Sequence, residues 1–248
     1  MRREWMTITE HEEIARATFR MVLKGQIATE VREPGQFVHI QVSEKFYLRR
    51  PVSIAEVKED TVTLLYKVMG DGTEALTKKH VGDQVDVLGP AGNGFPLDVR
   101  EGAHALLVGG GIGVPPLYQL AKQLRRQGVR VTAVLGFQSG AEAFFTKEFT
   151  ELGDVRVATN DGTLGHQGLV TDVLDGEFDT YFACGPTGML RAVSEKMEGV
   201  PGYLSMEERM GCGIGACLAC VVPSNDEKGY RRICCDGPVF NAKEVVLS

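Results

Sequence analysis

Between residues 6 and 97 apolar and β-branched side chains come in short runs: Ala15–Val22, Gln36–Val42, Val52–Val57, Thr61–Val68 and Gln84–Leu88. Runs of this length predict strands. The segments between them, Glu33-Pro34-Gly35, Gly70-Asp71-Gly72-Thr73 and Gly89-Pro90-Ala91-Gly92-Asn93-Gly94, carry turn chemistry. Their regular spacing predicts a small antiparallel barrel or sandwich over residues 1–99. From Ala103 the period changes. An apolar run Ala105–Val108, a glycine cluster, a helical stretch Pro116–Gln127 and a second apolar run Val131–Leu135 follow in order. That succession is the strand-helix-strand grammar of a parallel sheet. Val155–Thr159, Leu169–Leu174, Tyr181–Ala183 and a helix over Gly188–Met197 extend it, so an α/β domain is expected over residues 100–202. Residues 203–248 show little periodicity and are expected to form a third, small module. There is no internal repeat.

Composition narrows the possibilities. Hydrophobic residues make up 43% of 248, enough for packed cores, and the net charge of −6 excludes a nucleic-acid surface. The basic pairs Lys78-Lys79, Arg125-Arg126 and Arg231-Arg232 read as solvated faces. No apolar stretch approaches the roughly 18 residues needed to span a bilayer, and Met1-Arg2-Arg3-Glu4-Trp5 begins no secretory signal. A cytoplasmic protein is therefore expected, in a compartment where disulfides are disfavoured.

Five of the six cysteines cluster near the end of the chain. Cys212, Cys217 and Cys220 form a C-x4-C-x2-C array, with Cys234-Cys235 shortly downstream. This is the spacing of plant-type [2Fe–2S] sites, in which one tight loop supplies three thiolates and a fourth comes from elsewhere. Gly211, Gly213 and Gly215 suit a backbone that wraps closely round a cluster. A structural zinc site is the competing reading, although it more typically shows two C-x2-C pairs and only one exists here.

Two glycine loops follow apolar strands. Gly109-Gly110-Gly111-Ile112-Gly113 opens a helix, as a pyrophosphate-binding loop does, but Pro116 stands where a dinucleotide fingerprint has its third glycine. No acid follows the second strand at Leu135-Gly136-Phe137. A plain strand-to-helix turn is the alternative. Cys184-Gly185-Pro186 also ends a strand and starts a helix, which places both loops at the carboxyl edge of one sheet, where ligands bind. Cys184 itself reads equally well as a buried thiol. In the β-rich part, Arg50-Pro51-Val52-Ser53 suits an anionic planar ligand, with an ordinary surface arginine as the alternative. The five histidines are dispersed, and no catalytic triad, H-E-x-x-H or telling carboxylate pair is present.

Taken in order, R-P-x-S, G-G-G-I-G-x-x-P, C-G-P and the terminal C-x4-C-x2-C resemble the ferredoxin reductase family. The tail, Met210-Gly211-Cys212-Gly213-Ile214-Gly215-Ala216-Cys217-Leu218-Ala219-Cys220-Val221 with Cys234-Cys235-Asp236-Gly237-Pro238-Val239-Phe240, is similar to electron-transfer subunits of class 1B dihydroorotate dehydrogenases. The resemblance implies FAD on the barrel, contacted by Arg50, Pro51, Val52, Ser53, Leu65, Tyr66, Lys67, Gly72 and Thr73. It implies NAD over Gly109, Gly110, Gly111 and Gly113, with Cys184, Gly185 and Pro186 near the nicotinamide. It implies a [2Fe–2S] cluster on Cys212, Cys217, Cys220 and Cys234, with Cys235 as the alternative fourth ligand. Because hydride carriers exchange electron pairs and iron–sulfur clusters single electrons, a flavin between them is the expected converter. No catalytic acid or base is required.

No stretch is left for a second substrate site, so another protein is expected to supply the electrons. By resemblance this is an FMN-containing dihydroorotate dehydrogenase catalytic subunit in a two-plus-two heterotetramer serving pyrimidine synthesis. The implied route is dihydroorotate, FMN, [2Fe–2S], FAD, NAD+. The alternatives are a subunit of a sulfide dehydrogenase or ferredoxin:NADP oxidoreductase, or a zinc-stabilised binding protein.

Overall fold

The computed structural model describes residues 1–247. Its first part is a barrel of β1 (Arg2–Ala15), β2 (Thr18–Lys24), β3 (Phe37–Gln41), β4 (Arg50–Lys58), β5 (Thr61–Lys67) and β6 (Gln84–Ala91). These strands close in the order β1-β2-β5-β4-β3-β6 with antiparallel neighbours. Closure leaves no unpaired strand edge. Met6, Ile8, Leu23, Val38, Ile40, Ile54, Leu64 and Val87 fill the interior.

The barrel departs from the apolar pattern at its start. β1 carries charged residues along most of its length, and only Met6 and Ile8 within it are fully buried, so hydrophobic spacing gives no sign of the strand. The expected strand Ala15–Val22 is split by the turn at Arg16-Ala17, where Ala17 takes φ 56°, and β2 begins only at Thr18.

The second part is a sheet of β7 (His104–Gly110), β8 (Arg130–Phe137), β9 (Asp154–Thr159), β10 (His166–Gln167), β11 (Thr180–Cys184), β12 (Gly202–Ser205) and β15 (Val239–Asn241), in the order β10-β9-β8-β7-β11-β12-β15. Every pair is parallel except the last, β12 with β15. Alternation along β7 sends Leu106 and Val108 to one face and Ala105 and Leu107 to the other. The helix Thr187–Lys196 covers the first face with Leu190 and Val193, and the helix Pro115–Arg126 covers the second with Leu117, Leu120, Ala121 and Leu124. A parallel sheet covered on both faces reads as near-continuous apolar runs, which is why its strands were legible. Leu169–Leu174 is the exception. It contains a 3-10 turn, Val170–Val173, whose Val170 is buried against the sheet by packing rather than by pairing.

The sheet extends past residue 202. β12 runs outward, β15 returns antiparallel beside it, and the cysteine segment is the excursion between them. Its regular structure is one short hairpin, β13 (Val221–Pro223) with β14 (Tyr230–Arg232). Met210, Cys220, Val222, Ile233 and Cys234 anchor the excursion in the same apolar cluster as Phe37 of the barrel and Phe240 of β15. Helix Pro115–Arg126 ties the barrel to the sheet through a Lys122–Glu56 ion pair. No helix among the described residues is long and apolar enough to cross a membrane.

Candidate functional site

Three features meet where the barrel, the carboxyl edge of the sheet and the cysteine excursion come together. The first is a cleft of about 370 Å³ on the barrel, lined by Arg50, Pro51, Val52, Ser53, Leu65, Tyr66, Lys67 and Thr73. Eight of the nine residues expected for the flavin are thus brought to one wall. The ninth, Gly72, stands behind Arg50, and a Cβ there would overlap the guanidinium. Thr73 is held by Nature's local cap chemistry: its Oγ1 accepts from the backbone N–H of Met69 at 2.9 Å and sits at the start of the short helix Asp71–Thr77. Tyr66 donates to or accepts from His11 Nε2 at 2.8 Å, and burial pushes its phenol well above the ordinary range.

Sequence reasoning missed part of this lining. Ser205, the last residue of β12, and Met206, Glu207, Glu208, Arg209 and Met210 directly after it also line the cleft. The signal was available in principle, because a segment leaving the carboxyl end of a parallel strand lies on the ligand edge. β12 itself was not recognised, and so its exit was not either.

The second feature is a larger cleft of about 650 Å³ at the ends of β7, β8, β9 and β11. Gly110, Gly111, Gly185 and Pro186 line it, together with Ile112, Gln138, Glu142, Asn160 and Thr187. Gly109, Gly113 and Cys184 stand behind this lining. Cys184 is fully buried, its thiol pushed up by burial and then by the Glu207 carboxylate, so it offers no ready thiolate. Gly113 is where the two loops touch: a Cβ there would overlap the Cys184 carbonyl, so only glycine lets the helix start approach β11 this closely. Lys67, Met69, Ile112 and Glu207 line both clefts, which makes them one continuous channel. Glu207 is open to solvent in that channel yet ringed by protein, which raises its carboxyl; solvent access keeps this effect smaller than full burial would. Glu142 of the sheet domain is gripped by two barrel cations, Lys67 at 2.6 Å and Arg16, and these hold its carboxyl below the ordinary value.

The third feature is the cysteine loop. Cys212 Sγ accepts backbone N–H groups from Ile214, Ala216 and Cys217 at 3.3–3.4 Å. Cys217 Sγ accepts from Cys212 N at 3.4 Å, Cys220 Sγ from Cys234 N at 3.4 Å, and Cys234 Sγ from Gly215 N at 3.1 Å. Burial alone would raise Cys212, but these N–H donors and the Cys217 thiol bring it down to about 6. Cys234 is pushed up to about 12 by burial and by its neighbour Cys220. An iron ion removes such a proton outright.

The sulfurs therefore come as two pairs, Cys212 with Cys217 and Cys220 with Cys234. Among the described residues no three ligating side chains gather at a single ion position. A tetrahedral zinc needs four protein ligands on one ion, whereas a [2Fe–2S] cluster takes two thiolates on each of two irons. The donor set fits the cluster. Cys235 lies beside this set: its thiol turns toward Asp236 Oδ1 at 3.7 Å, packs against Gly215 and reaches the Cys234 thiol. Arg232 fixes this geometry with a fork onto Asp236 at 2.9 and 3.0 Å and a bond to the Gly215 carbonyl at 3.0 Å. Gly213 and Gly215 adopt φ values of 71° and 81°, whereas Gly211 does not and serves instead by closeness to Cys217 Sγ.

Residues 207–246 match the family described as the iron-sulfur cluster binding domain of dihydroorotate dehydrogenase B. The chain is 52% identical over 255 residues to the electron transfer subunit of dihydroorotate dehydrogenase B (NAD(+)) from Bacillus caldolyticus, with 99% of each covered. It is equally similar to the subunit of that name from Geobacillus kaustophilus. Among solved structures, an NADH-dependent reduced ferredoxin-NADP oxidoreductase superposes with a TM-score of 0.87 at 33% identity, over 98% of this chain and 90% of that one. A ferredoxin NADP+ reductase from Neisseria gonorrhoeae shares the fold at a TM-score of 0.69 and 14% identity, over 84% of this chain and 95% of that one. The chain belongs to the family of electron transfer subunits of NAD+-dependent dihydroorotate dehydrogenase B.

Proposed function

We propose that this chain carries electrons between a dihydroorotate-oxidising partner subunit and NAD+, holding FAD in the barrel cleft and a [2Fe–2S] cluster on Cys212, Cys217, Cys220 and Cys234. FAD exchanges electrons singly or in pairs and the cluster exchanges them one at a time, so together they join one-electron transfer to hydride chemistry. The observation that carries the reading is the continuity of the site: the two clefts share Lys67, Met69, Ile112 and Glu207, and Phe37 and Met210 of the barrel cleft belong to the same apolar cluster as Cys220 and Cys234.

The chain's own residues bind and orient. Arg50 offers a guanidinium fork for a phosphate of the dinucleotide, and Pro51 and Val52 present an apolar wall for its ring system. Gly110 and Gly111 leave room for a pyrophosphate against the turn that opens helix Pro115–Arg126. Gly185 and Pro186 floor the nicotinamide end. The six N–H···S bonds neutralise thiolate charge in the cysteine loop. No residue in the channel is required as an acid or base.

Reconstitution with the FMN-containing catalytic subunit tests the reading. Dihydroorotate-dependent reduction of NAD+ is expected. If the isolated chain carries flavin and iron yet supports only ferredoxin-linked reduction of a nicotinamide, the reading gives way to the ferredoxin:NADP oxidoreductase type, which the TM-score of 0.87 keeps as the second candidate.

A further inference from the structure

Alternation along β3 turns Val38 and Ile40 into the barrel and leaves Phe37 and His39 on its outer side, beneath the cysteine excursion. Phe37 lines the flavin-side cleft and belongs to the same apolar cluster as Met210, Cys220 and Cys234. His39 stands edge-on to Phe37, ring centroids 5.3 Å apart, and is 1% exposed. Its Nε2 is buried and has no hydrogen-bond partner among the described residues. That atom lies against Gly213, where a Cβ would overlap the imidazole, so the loop runs directly over the ring one residue from Cys212.

A buried polar atom with no partner is rare in folded proteins and calls for a ligand, a water or a strain account. This one lies at the seat of a loop whose backbone N–H groups already point at sulfur. Arg49 bridges β3 and β6, its guanidinium reaching the His39 carbonyl at 3.5 Å, the Asp86 carboxylate at 2.7 Å and the Asp86 carbonyl at 3.0 Å.

We propose that His39 donates a hydrogen bond from Nε2 to a sulfur of the [2Fe–2S] cluster and thereby raises the cluster's reduction potential. The inference rests on the cluster assignment made above and adds a side chain of the barrel to its surroundings. A donor to cluster sulfur favours the reduced, more negative state, so its loss makes reduction harder. His39 also links the two redox sites structurally, since Phe37 beside it belongs to the flavin wall.

The test is an EPR-monitored redox titration of the flavin- and cluster-loaded chain, comparing wild type with His39→Leu and His39→Gln. His39→Leu is expected to shift the cluster to a more negative potential with the flavin potential unchanged. His39→Gln, which keeps a donor near the same place, is expected to restore part of the shift. Pulsed EPR on reduced wild-type protein carrying 15N-labelled histidine is expected to show a nitrogen coupling that His39→Gln abolishes, and this holds even if His39→Leu fails to fold. An unchanged cluster potential in both variants, or the absence of a histidine coupling, overturns the proposal while leaving the cluster assignment intact. A wild-type chain that takes up flavin but no iron overturns the assignment itself.

Discussion

The barrel and sheet on one side and the cysteine excursion on the other are held together by different means. The barrel and sheet are maintained by apolar burial: Met6, Ile8, Leu23, Ile40 and Leu64 in one core, and Leu107, Leu117, Leu120, Leu135 and Phe182 in another, are essentially inaccessible to water. Burying a side chain of that size stabilises the fold by roughly 1.5–3 kcal/mol. The excursion from Met206 to Pro238 has one three-residue hairpin and leaves Ile214 and Leu218 about half exposed, at 57% and 49%. Beyond a few buried anchors such as Met210, Val222 and Ile233, its order comes from N–H···S bonds, an arginine clamp and, when loaded, the cluster. Metal binding contributes folding free energy directly to a region of the second kind.

That contrast can be broken in graded ways. Cys234→Ser is expected to abolish iron binding, and Cys235→Ser to leave it nearly complete, as read by iron content and the EPR signal; equal loss in both would remove the distinction drawn between the two thiols. Chelation of iron is expected to raise hydrogen exchange strongly over residues 207–236 while the barrel and sheet keep their protection, and uniform loss of protection would mean that the three segments form one cooperative unit. Gly113→Ala forces a Cβ onto the Cys184 carbonyl, which should cost about 1–3 kcal/mol in thermal unfolding and raise KM for NADH in direct reduction of artificial acceptors. The cluster's EPR signal should survive that change.

A smaller effect is expected at the contact between barrel and sheet. Lys67 and then Arg16 hold the Glu142 carboxyl below its ordinary value, so it binds protons less readily folded than unfolded. Its contribution is complete above the ordinary glutamate range and fades as pH falls through and below it. Glu142→Gln should therefore lower stability slightly at neutral pH and flatten the acid limb of the pH–stability curve. An acid limb identical to that of wild type would show that this contact contributes nothing measurable.

How much of this was legible in the sequence differs from segment to segment for physical reasons. The parallel strands are buried on both faces and announce themselves as apolar runs, and glycine loops follow them directly. β1 presents charge to water along most of its length, so burial left almost no trace in its sequence. Val170–Val173 has the composition of a strand, and tertiary packing made it a turn. The cysteine spacing pointed to the loop, but it left Cys234 and Cys235 as alternatives, and the backbone N–H from Gly215 that favours the proposed Cys234 is something no spacing rule supplies. The segment Ser205–Met210 has no motif at all, and its place in the lining of the barrel cleft follows from the exit of β12. His39 was one of five scattered histidines until the fold set it under Gly213.

The most direct test of the central claim is metal, sulfide and flavin analysis of anaerobically purified chain. About two irons and two acid-labile sulfides per chain, with one FAD and a rhombic EPR signal on reduction, are expected. Stoichiometric zinc with neither iron nor flavin would contradict the account.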